Sequence, residues 1–305
     1  MDKIQQNLLF EIANLHGVPE GAYNIRSNGE AAGRASTANI VITTKTDKPG
    51  IDINIADGTK NESVHIPVII SQSGIKEMVY NDFYIGEDCD VVIVAGCGIH
   101  NDGADDSKHD GIHRFFVGKN SKVRYIEKHY GEGDGNGKRV FNPKTEVHCS
   151  EGTTVELEMT QIKGVDSTVR VTEITLDTDA TCNVTERLMT HGSQTAQTEI
   201  TVDLNGDGSH TNVVSRSVAR DDSRQTFIAK IRGNAACSGH SECDAIIMDN
   251  AIVSAIPEVD ANCVDAALIH EAAIGKIAGD QLIKLMTLGL SEKEAEEQIV
   301  SGFLK

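Results

Sequence analysis

Short segments in which apolar and polar residues alternate run through most of the chain. They are rich in β-branched residues and each is bounded by Gly, Asp or Asn, which is typical of β-strands that end in tight turns. The clearest of these segments begin at residues 40, 51, 91, 122, 154, 170, 198 and 225. This pattern predicts a mainly β protein.

The turns between the later strands recur at a nearly constant spacing. They stand near residues 152, 180, 208, 235 and 261, roughly 27 residues apart. A steady period of this length, with short strands between small-residue turns, favours a solenoid or β-helix. A large antiparallel sandwich also shows regular turns, so it is the alternative fold.

The N-terminal residues follow helical spacing instead. Residues 2–16 place Ile4, Leu8, Leu9, Ile12 and Leu15 on one face, and Gly17 is expected just past the end of that helix. The stretch that follows, from residue 21 to 39, is polar and rich in small residues. We therefore assign residues 1–34 to an N-terminal helix and a polar linker.

The C-terminal residues also change texture. From Ile269 the apolar spacing predicts a helix that ends at Gly289, and Ser291 with Glu294 forms the capping box of a second helix. This divides the remainder of the chain into a β-helix core at 35–268 and a C-terminal helical segment at 269–305.

The charge balance restricts the partners. The chain holds 28 Lys and Arg against 46 Asp and Glu, a net charge of −18, which repels phosphate backbones and anionic lipids. It shows neither a signal peptide nor an apolar run long enough to cross a membrane. We therefore expect a cytoplasmic protein with reduced thiols that binds neither nucleic acid nor membranes.

A first group of possible metal ligands lies in the first half of the chain. Cys97-x2-His100 followed by His109-x3-His113 has the local spacing of zinc ligands, within a stretch rich in Gly and Asp. The alternative is a solvated loop between two strands. The metal interpretation predicts a β-helical zinc or iron metalloenzyme.

A second group lies near the end of the predicted core. A period of roughly 27 residues would place Cys237 beside Cys263 and Cys243 beside His270 on successive turns, with Glu271 next to it. A thiol, an imidazole and a carboxylate at a polar edge are able to ligate iron or zinc. The alternative is that the cysteines fill the core, which we expect for Cys237 and Cys263 but less for Cys243, because two acids flank it.

Common catalytic motifs are missing from the sequence. The H-E-A-A-I stretch lacks the second His of a zinc-protease motif, and neither a G-x-S-x-G elbow nor a Walker A loop is present. These observations disfavour the corresponding hydrolases and nucleotide-binding enzymes.

The sequence from about Glu151 to the end closely resembles the SufB/SufD family, the scaffold proteins of SUF iron–sulfur cluster assembly. The resemblance rests on S-G-H-S-E-C-D-A-I-I-M-D-N, I-P-E-V, A-L-I-H-E-A-A-I-G-K-I-A-G-D-Q-L and L-G-L-S-E-K-E-A-E-E-Q-I-V-S-G-F-L, in this order. It implies a right-handed parallel β-helix followed by C-terminal helices that dock SufC, an ABC-type ATPase.

The resemblance also implies roles for individual residues. Cys243 matches the cysteine of the family's C-D-S/A motif, and His270 and Glu271 match its H-E-A motif; these residues would hold the cluster. Because the chain carries both the Cys and the Glu, it is similar to a compact SufB-like form, although Ile269 stands where SufB has an acid. The ATPase would contact Ile277, Leu282, Leu285, Met286 and Phe303.

The resemblance implies a scaffold rather than an enzyme. It would hold a transient iron–sulfur cluster, as a homodimer or with a second SufB/SufD-like chain, and would meet a sulfur donor and apo iron–sulfur proteins. The rival functions are the metalloenzyme and a structural solenoid adhesin. The missing signal peptide and the free thiols disfavour the adhesin.

Overall fold

The computed structural model describes residues 2–305 as a β-solenoid with three short helices. The helices are α1 (Lys3–Ala13), α2 (Gly279–Met286) and α3 (Glu292–Phe303). The strands are β1 (Ala22–Ser27), β2 (Glu30–Ala35), β3 (Ile40–Thr44), β4 (Gly50–Ile55), β5 (Lys60–Ile70), β6 (Lys76–Ile85), β7 (Asp90–His100), β8 (Ser107–Val117), β9 (Lys122–Glu132), β10 (Arg139–Phe141), β11 (Lys144–Cys149), β12 (Thr154–Lys163), β13 (Ser167–Leu176), β14 (Thr181–Thr190), β15 (Thr195–Leu204), β16 (His210–Ala219), β17 (Arg224–Gly233), β18 (Ser238–Ile247), β19 (Ile252–Ala261) and β20 (Ala267–Gly275).

The strands form two long sheets, and the chain alternates between them, so that one strand of each sheet makes one coil. Sheet 1 has the order β2-β1-β5-β7-β9-β12-β14-β16-β18-β20. Sheet 2 has the order β19-β17-β15-β13-β10-β8-β6-β4-β3, and β11 also pairs with β13 and β8. Between neighbouring coils the pairing is parallel; only the hairpins β1–β2 and β3–β4 are antiparallel. The predicted mainly β solenoid is therefore confirmed, and the antiparallel sandwich is wrong.

The coil length differs between the two halves of the molecule. Contacts between neighbouring coils join residues 32 apart near His100 but 28 or 29 apart near His240 and His270. Inward-pointing side chains build a large apolar cluster along the solenoid and a smaller one around Phe141, as strand alternation requires. At the corners, short polar residues adopt the left-handed conformation that they tolerate: Asp88, Asn120, Asp179, Asp221 and Asp249.

The N-terminal segment differs from the prediction in two ways. Helix α1 ends earlier, because Asn14 rather than Gly17 takes the left-handed position after it, with a φ of 56°. The stretch predicted as a polar linker contains the hairpin β1–β2, and β1 pairs with β5 as part of sheet 1. Leu8, Leu9 and Ile12 are buried against the outer face of the sheet, as their spacing indicates.

In the C-terminal segment, the predicted helix that begins at Ile269 is wrong. Residues 267–275 form β20, which extends sheet 1 beside β18, and α2 begins only at Gly279. The capping box of Ser291 and Glu294 at the start of α3 is confirmed. No helix within residues 2–305 is both long enough and apolar enough to cross a membrane.

Candidate functional site

The last coil leaves one end of the solenoid uncovered. Strands β19 and β20 are the terminal strands of the two sheets among the described residues, so their outer edges carry backbone groups that no described strand pairs. Their inward-facing side chains have no further coil above them: Val259, which sits over the buried Ile231, is 42% exposed, and Ile274 is exposed as well. We call this surface the open end.

Cys243 lies one coil below the open end. It points inward from β18, is only 1% exposed and belongs to the main apolar core. Burial, together with the nearby carboxylates of Glu186 and Asp244, raises the pKa of Cys243 to about 12. The flanking acids do not prevent this burial, contrary to our expectation, because strand alternation directs Glu242 and Asp244 to the outer face.

His270 and Glu271 lie on opposite faces of β20. The register places His270 beside Ser241, with Nδ1 3.2 Å from the serine Oγ, and Cys243 beside Ala272. The predicted stacking of Cys243 on His270 is therefore wrong, because this coil contains 29 residues rather than 27. Cys243 and His270 still share the inner face, diagonally across two strands, whereas Glu271 points outward and its side chain is 69% exposed.

Sequence reasoning missed a second set of residues on the outer face around Glu271. Nε2 of His240 lies 3.7 Å from Oε2 of Glu271. Glu242, which pairs in register with Glu271, has a raised pKa because it shares a hydrogen bond with Asp244. The signal in the sequence was the alternation of His240, Glu242 and Asp244 along one strand. Burial, and the nearby His240, lower the pKa of His270.

Cys237 and Cys263 do not stack on successive coils either. Ser238 pairs with Ala267, and the carbonyl of Cys237 accepts a hydrogen bond from the backbone of Ala267, not from Cys263. Cys237 is buried in the main core, as expected, and Cys263 is half-buried in the turn before β20. Cys237 is thus a packing residue.

The predicted metal site of Cys97, His100, His109 and His113 is not formed. Cys97, His109 and His113 point into the solenoid, but His100 lies at the surface, where its nitrogens contact Asp102 at 2.8 Å and Glu132 at 3.1 Å. Across residues 2–305, no three His, Cys, Asp or Glu side chains are placed to hold a metal ion. The two pairs stand on β7 and β8, which follow one another in the chain but belong to different sheets.

A chain of buried polar groups inside the solenoid also escaped the sequence analysis. Arg170 forms an ion pair with Glu127 and lies 3.8 Å from Glu186. Glu186 also accepts hydrogen bonds from Thr198 and Ser215, at 2.7 and 2.8 Å. Arg170 holds the pKa of Glu127 far below its usual range, against the effect of burial. Only the folded chain brings these charges together.

The two C-terminal helices pack on the side of the last coils. Phe303 and Ile277 are half-buried against the cluster that Val300 and Leu304 form with Val218. Leu282 and Leu285 are half-buried and Met286 is exposed, so the residues predicted to bind a partner mostly contact their own chain. The more exposed apolar side chains were missed: Ile283 is 60% exposed and Leu288 is 76% exposed.

A groove of about 600 Å³ separates these helices from the outer face of β18 and β20. Asp244 and Ala273 line its sheet side, and Gln281 and Phe303 line its helix side. The groove therefore lies directly behind the strand that carries Cys243.

Comparison with known proteins gives a consistent picture. A family model described as SUF system FeS cluster assembly, SufBD core domain, matches residues 74–303. An iron–sulfur cluster assembly SufBD family protein of Methanocaldococcus jannaschii is 32% identical over 243 residues, which cover 79% of this chain and 76% of that protein. Proteins of the same description are 29% identical in Pyrococcus horikoshii, covering 83% of this chain and 77% of that protein, and 29% identical in Archaeoglobus fulgidus, covering 75% and 61%.

Proposed function

Because the chain belongs to the SufBD family of iron–sulfur cluster assembly proteins, we propose that it is a non-catalytic scaffold that holds a nascent cluster at its open end. The observation that carries this proposal is the position of Cys243 and His270 on the inner face, at and just below an end of the solenoid that no described strand covers. Iron and sulfide are the cargo of this site. The test is anaerobic reconstitution with ferrous iron and sulfide.

The three predicted ligands suit a site that must release its cluster. A thiolate is the soft ligand that iron and sulfide prefer, and an imidazole or a carboxylate binds less strongly. Cys243 and His270 approach from the inner face and Glu271 from the outer rim. Within one chain, Glu271 faces away from Cys243 and His270. We therefore propose that a second chain completes the ligand set.

The open end suits a second chain of the same kind. Two strand edges of ten and nine residues stand beside exposed apolar side chains, and unpaired strand edges readily add a strand from a partner. We propose a second copy of this chain as that partner. A different SufB/SufD-like chain is the other possible outcome of the test.

We predict that Val259→Asp separates the two chains of the proposed dimer. A carboxylate at this position would be buried without a partner between the two chains, so the molar mass in solution should fall from that of two chains to that of one. Light scattering after size exclusion measures it. Val169→Asp is the matched control, because Val169 is also 42% exposed but lies in β13, far from the open end. A wild-type chain that is monomeric at all concentrations, with and without a second SufB/SufD-like chain, contradicts the proposal.

We further propose that α2 and the turn after it dock a SufC-like ABC ATPase. Ile283, Met286 and Leu288 are exposed apolar side chains on α2 and the turn after it, and exposed apolar surfaces mark sites of protein contact. Cys243 is almost fully buried, and the groove lies on the other face of the strand that carries it. Movement of α2 and α3 on ATP binding would open this groove. The assembly would work in the cytoplasm, with a sulfur donor and apo iron–sulfur proteins as further partners.

Ile283→Asp is expected to abolish co-purification of the ATPase, because the new charge would have to be desolvated in an apolar contact. The circular dichroism spectrum should not change, since the side chain is 60% exposed. Ile162→Asp, which alters an exposed isoleucine in β12, is the control and should retain the ATPase. Equal recovery of ATPase with both variants would place the docking surface elsewhere.

A further inference from the structure

The row of inward-facing side chains that ends in His270 changes from apolar to polar only in its last two coils. Successive strands of sheet 1 place these residues side by side in register: Leu157, Val184, Val213, Ser241 and His270. The first three are hydrocarbon side chains that are almost completely buried. Ser241 is only 1% exposed, so its hydroxyl lies in a row whose members below it offer no polar partner.

The partner of this hydroxyl is the imidazole one coil above it. Oγ of Ser241 lies 3.2 Å from Nδ1 of His270, which is within the range of a hydrogen bond. Within residues 2–305 it is the only hydrogen bond that either side chain makes. Because a buried hydroxyl without a partner destabilises the fold, a serine suits this position only while His270 stands beside it.

The contact gives the two ring nitrogens of His270 different surroundings. Ser241 lies one coil below, so Nδ1 faces that coil, whereas Nε2, on the far side of the ring, faces away from it. A serine hydroxyl both donates and accepts, so it bonds to Nδ1 whether or not that nitrogen carries the ring proton. Histidines that bind a metal almost always donate their second ring N–H to an acceptor, which fixes the orientation of the ring. Ser241 supplies such an acceptor.

We propose that Ser241 is a positioning residue, which holds Nδ1 of His270 so that Nε2 is the nitrogen that binds the iron of the cargo. This inference rests on the proposed scaffold function. In the bound state the lone pair of Nε2 forms the bond to iron, the ring keeps its single proton on Nδ1, and the Ser241 hydroxyl accepts the hydrogen bond from it. Without the hydroxyl the ring is free to turn, so iron should be held less tightly.

Nuclear magnetic resonance of the histidine ring nitrogens tests the hydrogen bond in the empty chain, without iron. The matched control is the pair of His210 and Ser238, whose Nδ1 and Oγ lie 2.8 Å apart on the exposed face of the neighbouring strands β16 and β18. Ser241→Ala should shift the ring nitrogens of His270 but not those of His210, and Ser238→Ala should do the reverse. Unchanged ring nitrogens of His270 in Ser241→Ala overturn the proposal.

Competition with an iron chelator after anaerobic reconstitution with ferrous iron and sulfide tests the consequence. Losing the hydrogen-bond partner of a metal-binding histidine typically weakens metal binding about 10–100-fold, so Ser241→Ala should release iron at a correspondingly lower chelator concentration. Ser238→Ala, and Ser241→Thr, which keeps the hydroxyl, should match the wild type.

The same competition in a His270→Ala background separates positioning from packing. Ser241→Ala should change nothing further there, because Ser241 acts through His270. An equal loss of iron in both backgrounds overturns the positioning role, and should His270→Ala keep no iron, a loss of iron in Ser241→Thr does so. A wild-type chain that keeps no iron contradicts the scaffold function instead, and the ring nitrogens of the empty chain then decide whether Ser241 holds His270.

Discussion

Replacing Cys243 with alanine is expected to abolish the retention of iron and sulfide by the reconstituted protein. The substitution removes the only soft ligand among the three proposed residues, and the remaining imidazole and carboxylate bind iron–sulfur clusters weakly. The wild-type chain, mixed anaerobically with ferrous iron and sulfide and then desalted, should keep a brown chromophore. The measurement is iron and sulfide per chain, together with the visible absorption.

Cys237→Ala is the matched control for this experiment. Both cysteines stand on or next to β18 and belong to the same apolar core, so both substitutions remove one buried sulfur atom. Cys237→Ala should therefore lose a similar amount of stability but keep the cluster. Binding of the ATPase should persist in both variants, because α2 lies on the other side of β18. Full retention of iron and sulfide by Cys243→Ala would show that the site lies elsewhere.

The solenoid could be predicted because its core depends on simple local rules. Alternating β-branched residues define strands, and Asp, Asn and Gly at the corners define where they end, as at Asp179 and Asp221. The strand β20 escaped prediction for a physical reason. Its sequence A-L-I-H-E-A-A-I-G is compatible with a helix as well as with a strand. The segment forms a strand because it pairs with the edge of β18.

The candidate site could be predicted only in part, because its geometry depends on register. The resemblance singled out Cys243, His270 and Glu271, but an error of two residues in the coil length was enough to place Cys243 beside the wrong neighbour. The register also decides which of these three side chains face inward, because a shift of one residue moves every side chain of a strand to the other face of the sheet. The contact of Glu127 with Arg170 spans 43 positions of the sequence, and no local pattern reports it.

The two ends of the solenoid differ in a way that bears on assembly. At the N-terminal end each sheet closes with an antiparallel strand of five or six residues, β3 and β2. At the open end the edge strands have ten and nine residues. Short, reversed edges resist the addition of further strands, whereas long regular edges favour it. One such end would let the chain pair with a second chain without forming a fibre, which supports the proposal that two chains share the site.

Replacing Arg170 with methionine is expected to destabilise the fold more than any change at the surface. Arg170 is the buried cation between Glu127 and Glu186, and its loss would leave two buried carboxylates without a counter-charge. Removing one partner of a buried ion pair typically costs about 3–5 kcal/mol of unfolding free energy. Urea unfolding followed by circular dichroism measures it.

Three further measurements distinguish this effect from a loss of packing. Arg232→Met removes a half-exposed arginine that pairs with Asp203, so it should cost less than about 1 kcal/mol. Adding Glu127→Gln to Arg170→Met should restore part of the stability, because one of the two unpaired carboxylates is gone. The pKa of Glu127 is depressed in the wild type, so the stability that its ion pair provides is present at neutral pH and lost in acid. The difference in unfolding free energy between the wild type and Arg170→Met should therefore narrow as the pH falls, and a difference that stays constant would assign the effect of Arg170 to its volume rather than to its charge.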